Sequence, residues 1–459
     1  MAKASLEPGA DPGKTALRRR WSGCSADLLA VCGAGVLVAT AVVVGAVLND
    51  RDVPLHASTA PLRGGWEPRI GLATPVAVGL AVLYVAAGPG IAARLRWRAL
   101  LPLSWAASLG WILALGLVDG WPRLAQRLAR PGEYLAEVPG APGRSELLAT
   151  FAERIARRPT GPGEPDAWVT HVAGHPPAAL EFWILVDRLG LRGGGWAAVT
   201  CLVLGSSACL AVALAVRAIA DDRLARHALP FLVLAPAALW IGVSGDAVFL
   251  AVSAWGLALL AIATRLRGLS GWAAAGAAGL LLGLGLYLSY GLALIGLVAL
   301  GVLVAGRRLM PALVAGTVVV GVVIAYTVGG FSWWEGYEQL RIRYYQGWGA
   351  ERPYSYWVWA NLAVLALCIG PAAVAGIRRT MAGLRSTPQL AAVVPPTVLA
   401  VLAATLSGLS KGEIERIWLP FAVWLVAGCA LLPPRSHRWW LAAQALTTLV
   451  VQHLILTSW

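Results

Sequence analysis

The stretch RRLMPALVAGTVVVGVVIAYTVG, residues 307–329, decides the fold class. After Arg307 and Arg308, an apolar run without any charged residue extends from 309 to 329. As an α-helix, a run of this length crosses the roughly 30 Å hydrocarbon core of a bilayer. Its composition lacks the strict alternation of apolar and polar residues that a transmembrane β-strand shows. The stretch therefore predicts a transmembrane helix with a basic end.

Similar runs recur along the whole chain. Of its 459 residues, 58% are hydrophobic and 13% are charged, whereas a soluble domain carries about 25% charged residues. We predict an all-α, polytopic membrane protein of about thirteen transmembrane helices. The predicted spans are 27–48, 71–93, 99–118, 195–217, 227–243, 247–264, 272–288, 290–306, 309–329, 355–377, 388–407, 417–432 and 438–457.

Arginines gather in every second link between these spans. Cytoplasmic links of membrane proteins are enriched in Lys and Arg, so these links predict the cytoplasmic side. The N-terminus is then cytoplasmic and Trp459 lies outside. The net charge of +14 follows from the same rule, and no nucleic-acid partner is expected. The basic links hold Arg94, Arg96 and Arg98; Arg265 and Arg267; Arg307 and Arg308; Arg378 and Arg379.

The chain divides into a cytoplasmic tail (1–26), two leading transmembrane helices (27–98) and a core (99–457). The core has a long outer loop, 119–194, and a second, aromatic-rich outer segment, 330–354. Residues 176–192 are apolar enough to suggest a span, but a span there would be costly because it contains Glu181, Asp187 and Arg188. We interpret this segment as an amphipathic helix at the outer surface. Within the long loop, residues 142–158 predict a helix capped by Ser145.

Acidic and basic residues are almost absent from the span interiors and gather at the outer helix ends. This pattern favours a reaction at the outer interface. A transporter or flippase is the alternative, for which a polar pathway through the membrane is expected. The carboxylates that could act as a general base are Asp119 and Asp246. On position alone, an ordinary charge at a helix end is the more common explanation for each.

Outer-side cations near aromatic residues could hold a phosphate, because Arg offers two hydrogen bonds to phosphate oxygens. The candidates are Arg341, Arg343, Arg352, Lys411 and Arg416. Contacts with lipid headgroups in an aromatic belt explain such residues equally well. Glu415 and Glu413 could pair with Lys411 and Arg416.

His171 and His175 are four residues apart in the long outer loop. As a helical pair they could bind a metal, but the glycine and two prolines around His175 argue against a regular helix. The sequence shows no third ligand. We assign no metal site, and a divalent metal ion as cofactor is left open.

Four elements in this order resemble the GT-C superfamily of integral-membrane glycosyltransferases, particularly its actinobacterial members. Asp119 ends a span and opens a long outer loop, which His175-Pro176-Pro177 closes ahead of a surface helix. The segment 236–246 is similar to the family's second outer turn, and 413–420 to its late outer-loop element. The resemblance covers roughly 99–457.

The resemblance implies that an outer-loop carboxylate activates the acceptor hydroxyl, while basic residues hold the donor phosphate. By match, Asp119 takes the first role and Arg416 is a candidate for the second. The sequence departs from the family where Gly120 follows Asp119, since members commonly carry a pair of acids there. Glu133, Asp166 or Asp246 could therefore contribute.

By the same resemblance, the donor is a polyprenyl-phosphate sugar and the acceptor is a cell-envelope glycan or lipid. Mannose or arabinose is the expected sugar. The expected location is the plasma membrane, among membrane lipids, with the active site on the outer face. The sequence contains nothing similar to a nucleotide-binding loop.

Overall fold

The computed structural model describes residues 12–157, 166–242 and 244–458, with side chains from Gly23 onward. The protein is an all-α, polytopic membrane protein that is 77% helical. The helices are α1 Pro12–Asp50, α2 Thr74–Arg94, α3 Trp97–Gly116, α4 Trp121–Gln126, α5 Arg144–Thr150, α6 Thr170–Ala173, α7 Ala178–Arg188, α8 Gly193–Ile219, α9 Asp222–Val233, α10 Ala238–Ile241, α11 Asp246–Ala263, α12 Gly268–Leu288, α13 Ile295–Gly306, α14 Leu309–Val328, α15 Trp333–Tyr345, α16 Trp348–Glu351, α17 Tyr354–Ala382, α18 Pro388–Ala391, α19 Val394–Leu406, α20 Ile414–Ile417, α21 Leu419–Val426 and α22 His437–Leu454.

Within the described ranges, nine helical segments are long and apolar enough to cross a membrane. They are α1, α2, α3, α8, α11, α12, α14, α17 and the pair α18–α19. A tenth crossing is present if the segment 419–431 and α22, which meet at 114°, count as one broken span. The number thirteen stays a prediction.

The remaining predicted spans are interrupted or shorter helices. The predicted span 227–243 consists of α9 and α10 with a break between them, where Pro236 disfavours a helical conformation in the residue before it. The predicted span 417–432 contains α21 and the 3-10 turn 427–431, and α20 ends at its first residue. The predicted span 290–306 starts as a 3-10 turn before α13. In the last predicted span, 438–457, the helix ends at Leu454 and the chain then forms a short strand.

The longest helix of the core is broken in its middle. In α17, Gly370 has φ 75° and precedes Pro371, so the helical hydrogen bonds are interrupted there. The fully buried Gln444 of α22 satisfies the freed backbone groups. Its amide nitrogen donates to the Ile369 carbonyl at 2.8 Å, and its oxygen accepts from the Ala372 N–H at 3.2 Å. The break is therefore a built structural feature.

Helix ends gather on two opposite faces. The face that we call the basic face holds the arginine-rich links. There Arg226 donates to the carbonyls of Ala92 and Leu95 at 2.7 and 2.8 Å, and Arg265 donates to Ala218. If successive helices cross the membrane in alternating directions, every second link must lie on the same face. The arginine-rich links meet this requirement. That the basic face is cytoplasmic is a prediction from its charge.

We call the opposite face the site face. It carries the outer loop and a two-stranded antiparallel sheet of β1 (Gly64–Trp66) and β2 (Ile455–Thr457). This small sheet ties the link after α1 to the end of α22. In addition, α1 packs against α17, and α2 packs against α9 and α22. The leading helices thus pack against helices of the core, and α1 begins at Pro12. The division into a tail, two leading helices and a core stays a prediction.

Two predictions for the outer loop can be compared with the structure. The 11-residue α7 is about 16 Å long and too short to cross a bilayer, as predicted for this segment. Its inner side is buried in the protein at Leu180 and Trp183, so it does not simply lie on the surface. The predicted cap at Ser145 is wrong, because α5 begins at Arg144 and ends at Thr150. Residue 158, the predicted helix end, lies outside the described residues.

Candidate functional site

A cluster of buried charges joins three parts of the site face. Arg416 on α20, 6% exposed, donates to Asp246 at the start of α11 at 2.7 Å and to Glu413 at 3.1 Å. Its second terminal nitrogen also lies 3.2 Å from Nε2 of His171 in the outer loop. Burial alone would lower the pKa of Arg416, but Asp246 and Glu413 outweigh it and raise that pKa. We call these residues, with Glu133 and Arg127, the buried ion network.

The loop side of the network is held by His171. Its Nδ1 lies 2.8 Å from the Gly132 carbonyl. In a neutral ring, Nδ1–H donates to this carbonyl while Nε2 accepts from Arg416. Burial, and then the charge of Arg416, lower the pKa of His171 to about 3. Beside it, Glu133 pairs with Arg127 at 3.2 Å, and burial raises the pKa of Glu133. His171 is therefore a neutral link between two ion pairs at pH 7.

Glu413 connects the network to the leading helices. Besides Arg416, it accepts from Arg63 at 2.9 Å and from Arg352 at 3.2 Å. Burial alone would raise the pKa of Glu413, but the three guanidinium groups outweigh it and lower the pKa to about 2. Arg63 was not a candidate from the sequence, whereas Arg352 was predicted as a phosphate ligand and is instead paired with Glu413. Their role depends on contacts between distant segments that no local pattern signals.

Asp119 belongs to a different cluster. Arg69 donates to both of its carboxylate oxygens: Nη2 donates to Oδ2 at 3.0 Å, and Nε donates to Oδ1. Gln452 of α22 donates to it at 3.1 Å, and Arg123 lies 3.9 Å away. Both oxygens of this carboxylate are thus engaged by one Arg. The role of Asp119 as general base stays a prediction.

An open cleft of about 470 Å³ lies on the site face next to the buried network. Three charged residues line it: Arg157, Asp166 and Arg343. Within the described ranges, the Asp166 carboxylate accepts no hydrogen bond and forms no ion pair, and this residue is exposed. Arg343 donates to the Trp168 carbonyl at 3.2 Å from one terminal nitrogen, while the other has no partner there. Burial and the charge of Arg157 lower the pKa of Arg343.

The open cleft and the buried ion network share a wall. Gly132 lines the cleft, and its carbonyl is the group to which His171 is bonded. Thr170 also lines the cleft and directly precedes His171. The network therefore fixes the backbone on one side of the cleft.

The other predicted phosphate ligands are placed differently. Lys411 is 8% exposed and donates to the Gly349 carbonyl at 2.7 Å, and burial lowers its pKa. Arg341 lies exposed on α15 outside the cleft. Arg416 is engaged by carboxylates, as described above. Of the five predicted cations, the structure brings only Arg343 into the open cleft.

Glu415 does not face the outer loop. It is 1% exposed, and in the described structure neither carboxylate oxygen has a hydrogen-bond partner. Burial raises the pKa of Glu415 to about 7, and nearby Glu413 adds to this rise. Glu415 is therefore a neutral acid below about pH 7, and its place in the substrate loop stays a prediction.

The predicted histidine pair is used structurally. His175 lies with Nδ1 2.7 Å from the His171 carbonyl and 3.0 Å from the Tyr134 hydroxyl. Burial lowers the pKa of His175. No group of three or more His, Cys, Asp or Glu in the described part of the chain is arranged to hold a metal ion.

No known protein family and no curated protein matches the chain. Among solved structures, the crystal structure of the Archaeoglobus fulgidus oligosaccharyltransferase in complex with zinc and sulfate is similar, with a TM-score of 0.43 and 15% sequence identity. The match covers 68% of this chain and 48% of that chain, so it spans about half of the longer protein. A likeness at this level does not establish a shared activity.

Proposed function

We propose that the protein is a membrane glycosyltransferase that uses a polyprenyl-phosphate sugar as donor and acts at the open cleft. The observation that carries the proposal is the set of charges in that cleft. Two arginines and an accessible carboxylate, Arg157, Arg343 and Asp166, line one space of a size suited to a small ligand. Cations are needed to hold a phosphate, and a carboxylate is needed to accept a proton.

The proposed reaction is a displacement at the anomeric carbon of the donor sugar. The acceptor hydroxyl oxygen bonds to this carbon while Asp166 takes the hydroxyl proton. The bond from the carbon to the phosphate oxygen breaks, and the lipid phosphate leaves with the electron pair. Arg157 and Arg343 stabilise the leaving phosphate. Asp119 is the competing candidate for the base, because it matches the family pattern.

Lipid-linked donors can reach this cleft from the membrane. Arg343 lies on α15, which exposes Trp334, Ile342 and Tyr345 to 71, 49 and 48%. Aromatic side chains are enriched at the level of the lipid headgroups. A polyprenyl chain in the bilayer would thus present its phosphate beside α15. Mannose or arabinose as sugar, a cell-envelope glycan or lipid as acceptor, and the outer face of the plasma membrane as location belong to the proposal.

The test is glycosyl transfer by the purified protein from polyprenyl-phosphate mannose and, separately, polyprenyl-phosphate arabinose. We expect transfer from one of them, and we expect Asp166→Asn to reduce it by about 10²-fold or more. Asp187→Asn, on the exposed side of α7, is the matched control and should leave the rate unchanged. If Asp119→Asn abolishes transfer while Asp166→Asn does not, the base is Asp119. Absence of transfer from either donor by the unaltered protein would contradict the proposed function.

A flippase of lipid-linked glycans is the second candidate, and the broken helices favour it. Transporters bind substrate where helices are interrupted in the membrane. Here the break in α17 and the break between α9 and α10 lie close together, since a Cβ at Gly370 would be 2.9 Å from Pro236. Gln444 fills this point, however, as described above. Movement of a fluorescent polyprenyl-phosphate glycan across proteoliposomes, without transfer, would support this candidate over the enzyme.

A further inference from the structure

A second cleft, of about 440 Å³, opens on the basic face, opposite the open cleft. It lies between the start of α9, the end of α17 and the segment 430–434. Its polar lining residues are Asp221, Arg223, His227 and Arg379. The glycosyl-transfer proposal makes no use of this space.

The acids next to the cleft on the basic face each have a partner within the described structure. Asp221 accepts the Leu224 N–H at 2.7 Å and so caps α9. Asp27 of α1 pairs with Arg379 at 2.6 Å. Arg223 is exposed, and within the described residues it forms no ion pair. Arg223 is therefore the charge available to a ligand.

The acid nearest to Arg223 in sequence does not compensate it. Asp222 is paired with Arg217 at 3.0 Å and with Arg226 at 2.6 Å. These two arginines exceed its single negative charge. Asp221, which lines the cleft, adds a second negative charge, so the two arginines and the two aspartates cancel and Arg223 supplies the excess positive charge.

The rest of the cleft lining is apolar. This part consists of Leu224, Ala430, Leu431, Leu432, Pro433 and Pro434. The cleft lies at the ends of the helices, where the headgroups of a surrounding bilayer are found. A ligand that carries one phosphate next to an apolar body matches both parts of this lining. Basic pockets between transmembrane helices bind anionic lipid headgroups in this way.

We propose that the cleft on the basic face binds the phosphate of an anionic phospholipid from the leaflet on that side. Arg223 contacts the phosphate, and Arg379 adds a second positive charge deeper in the cleft. The apolar lining contacts the glycerol and the upper acyl chain. The site is separate from that of the lipid-linked donor, and the inference does not rest on the proposed function.

The test is native mass spectrometry of the purified protein titrated with phosphatidylglycerol and, in parallel, phosphatidylcholine. We expect Arg223→Ala to weaken phosphatidylglycerol binding by about five- to tenfold and to leave phosphatidylcholine binding unchanged. Arg267→Ala is the matched control, because Arg267 is also exposed on the basic face but does not line this cleft. It should bind phosphatidylglycerol like the unaltered protein.

Two outcomes would overturn the inference. Equal phosphatidylglycerol affinities for the Arg223→Ala and Arg267→Ala variants would show that the cleft does not select the lipid. Displacement of the bound lipid by inorganic phosphate at similar concentration would identify a free anion as the ligand. Because Arg223 is exposed, unfolding temperatures of all three proteins should agree, which separates lost binding from misfolding.

Discussion

The buried ion network and the open cleft contain the same kinds of side chain in opposite situations. In the network, Arg416 is enclosed by Asp246 and Glu413, and each charge is compensated by its neighbours. In the cleft, Arg157 and Asp166 face solvent. Charges that satisfy one another can hold helices together, whereas charges open to solvent can bind a substrate. The comparison assigns stability to the first region and chemistry to the second.

The largest effect should come from removing the central cation of the network. Arg416→Ala leaves Asp246 and Glu413 buried without their shared partner, and breaking a buried pair in this way costs about 3–5 kcal/mol. We expect a large drop in the thermal unfolding temperature in detergent. The unfolding temperature of Arg416→Lys should lie between those of Arg416→Ala and the unaltered protein. A single ammonium keeps the charge but cannot reproduce the planar contacts of Arg.

Arg341→Ala is the matched control for this variant, since Arg341 is an exposed arginine on the same face. Its unfolding temperature should equal that of the unaltered protein. If Arg416→Ala unfolds normally but no longer binds a polyprenyl phosphate, Arg416 is a donor ligand and the comparison fails.

The next effect concerns pH and Glu415. A raised pKa means that the folded state binds the proton of Glu415 more tightly than the unfolded state does. This tighter binding stabilises the folded state fully below about pH 4.5, and the stabilisation is lost as pH rises through 7. The loss amounts to about 3 kcal/mol. The side chain stays neutral in Glu415→Gln, so this variant should not show the loss of stability. We therefore expect the variant to gain stability relative to the unaltered protein between pH 5 and pH 8.

The difference between the two proteins is the quantity to measure, because His171 acts in the opposite direction. Its lowered pKa costs stability as pH falls below about 6.5, and this cost is common to both proteins. Unfolding curves at pH 5, 6, 7 and 8 give the difference directly. A constant difference across this range would show that Glu415 is already ionised in the folded protein.

A smaller effect is expected for the phosphate-binding side of the open cleft. Arg343→Ala removes one charge-assisted contact to the donor phosphate, and the affinity for a polyprenyl-phosphate sugar should fall about tenfold. Stability should change little, because Arg343 donates a single hydrogen bond to the Trp168 carbonyl. Lipid-donor titration and unfolding on the same sample check both statements. Unchanged affinity would move the donor phosphate away from this cleft.

The architecture could largely be predicted because apolar runs and basic links are local patterns. Run length alone predicts α14 and α8 nearly to the residue. The break between α9 and α10 was not predicted, because the residues on both sides of it are apolar. The same holds for Gly370, where the hydrogen bonds of Gln444 on another helix make the break tolerable.

The site was less predictable because it depends on pairing between distant segments. Asp119 and Arg416 are conspicuous in the sequence, yet their partners Arg69 and Asp246 are remote in the chain. Whether a charged residue is compensated depends on these partners, which composition and spacing do not show. The sequence therefore named Asp166 and Arg343 as candidates but could not distinguish them from the buried charges.

The most direct test applies the same chemical change to both regions. Asp166→Asn and Asp246→Asn each replace a carboxylate by an amide, one in the open cleft and one in the buried ion network. We predict that Asp166→Asn loses glycosyl transfer by about 10²-fold or more with an unchanged unfolding temperature, whereas Asp246→Asn lowers the unfolding temperature. An Asp246→Asn protein of normal stability without transfer, beside a fully active Asp166→Asn protein, would place the chemistry in the buried ion network and contradict the account.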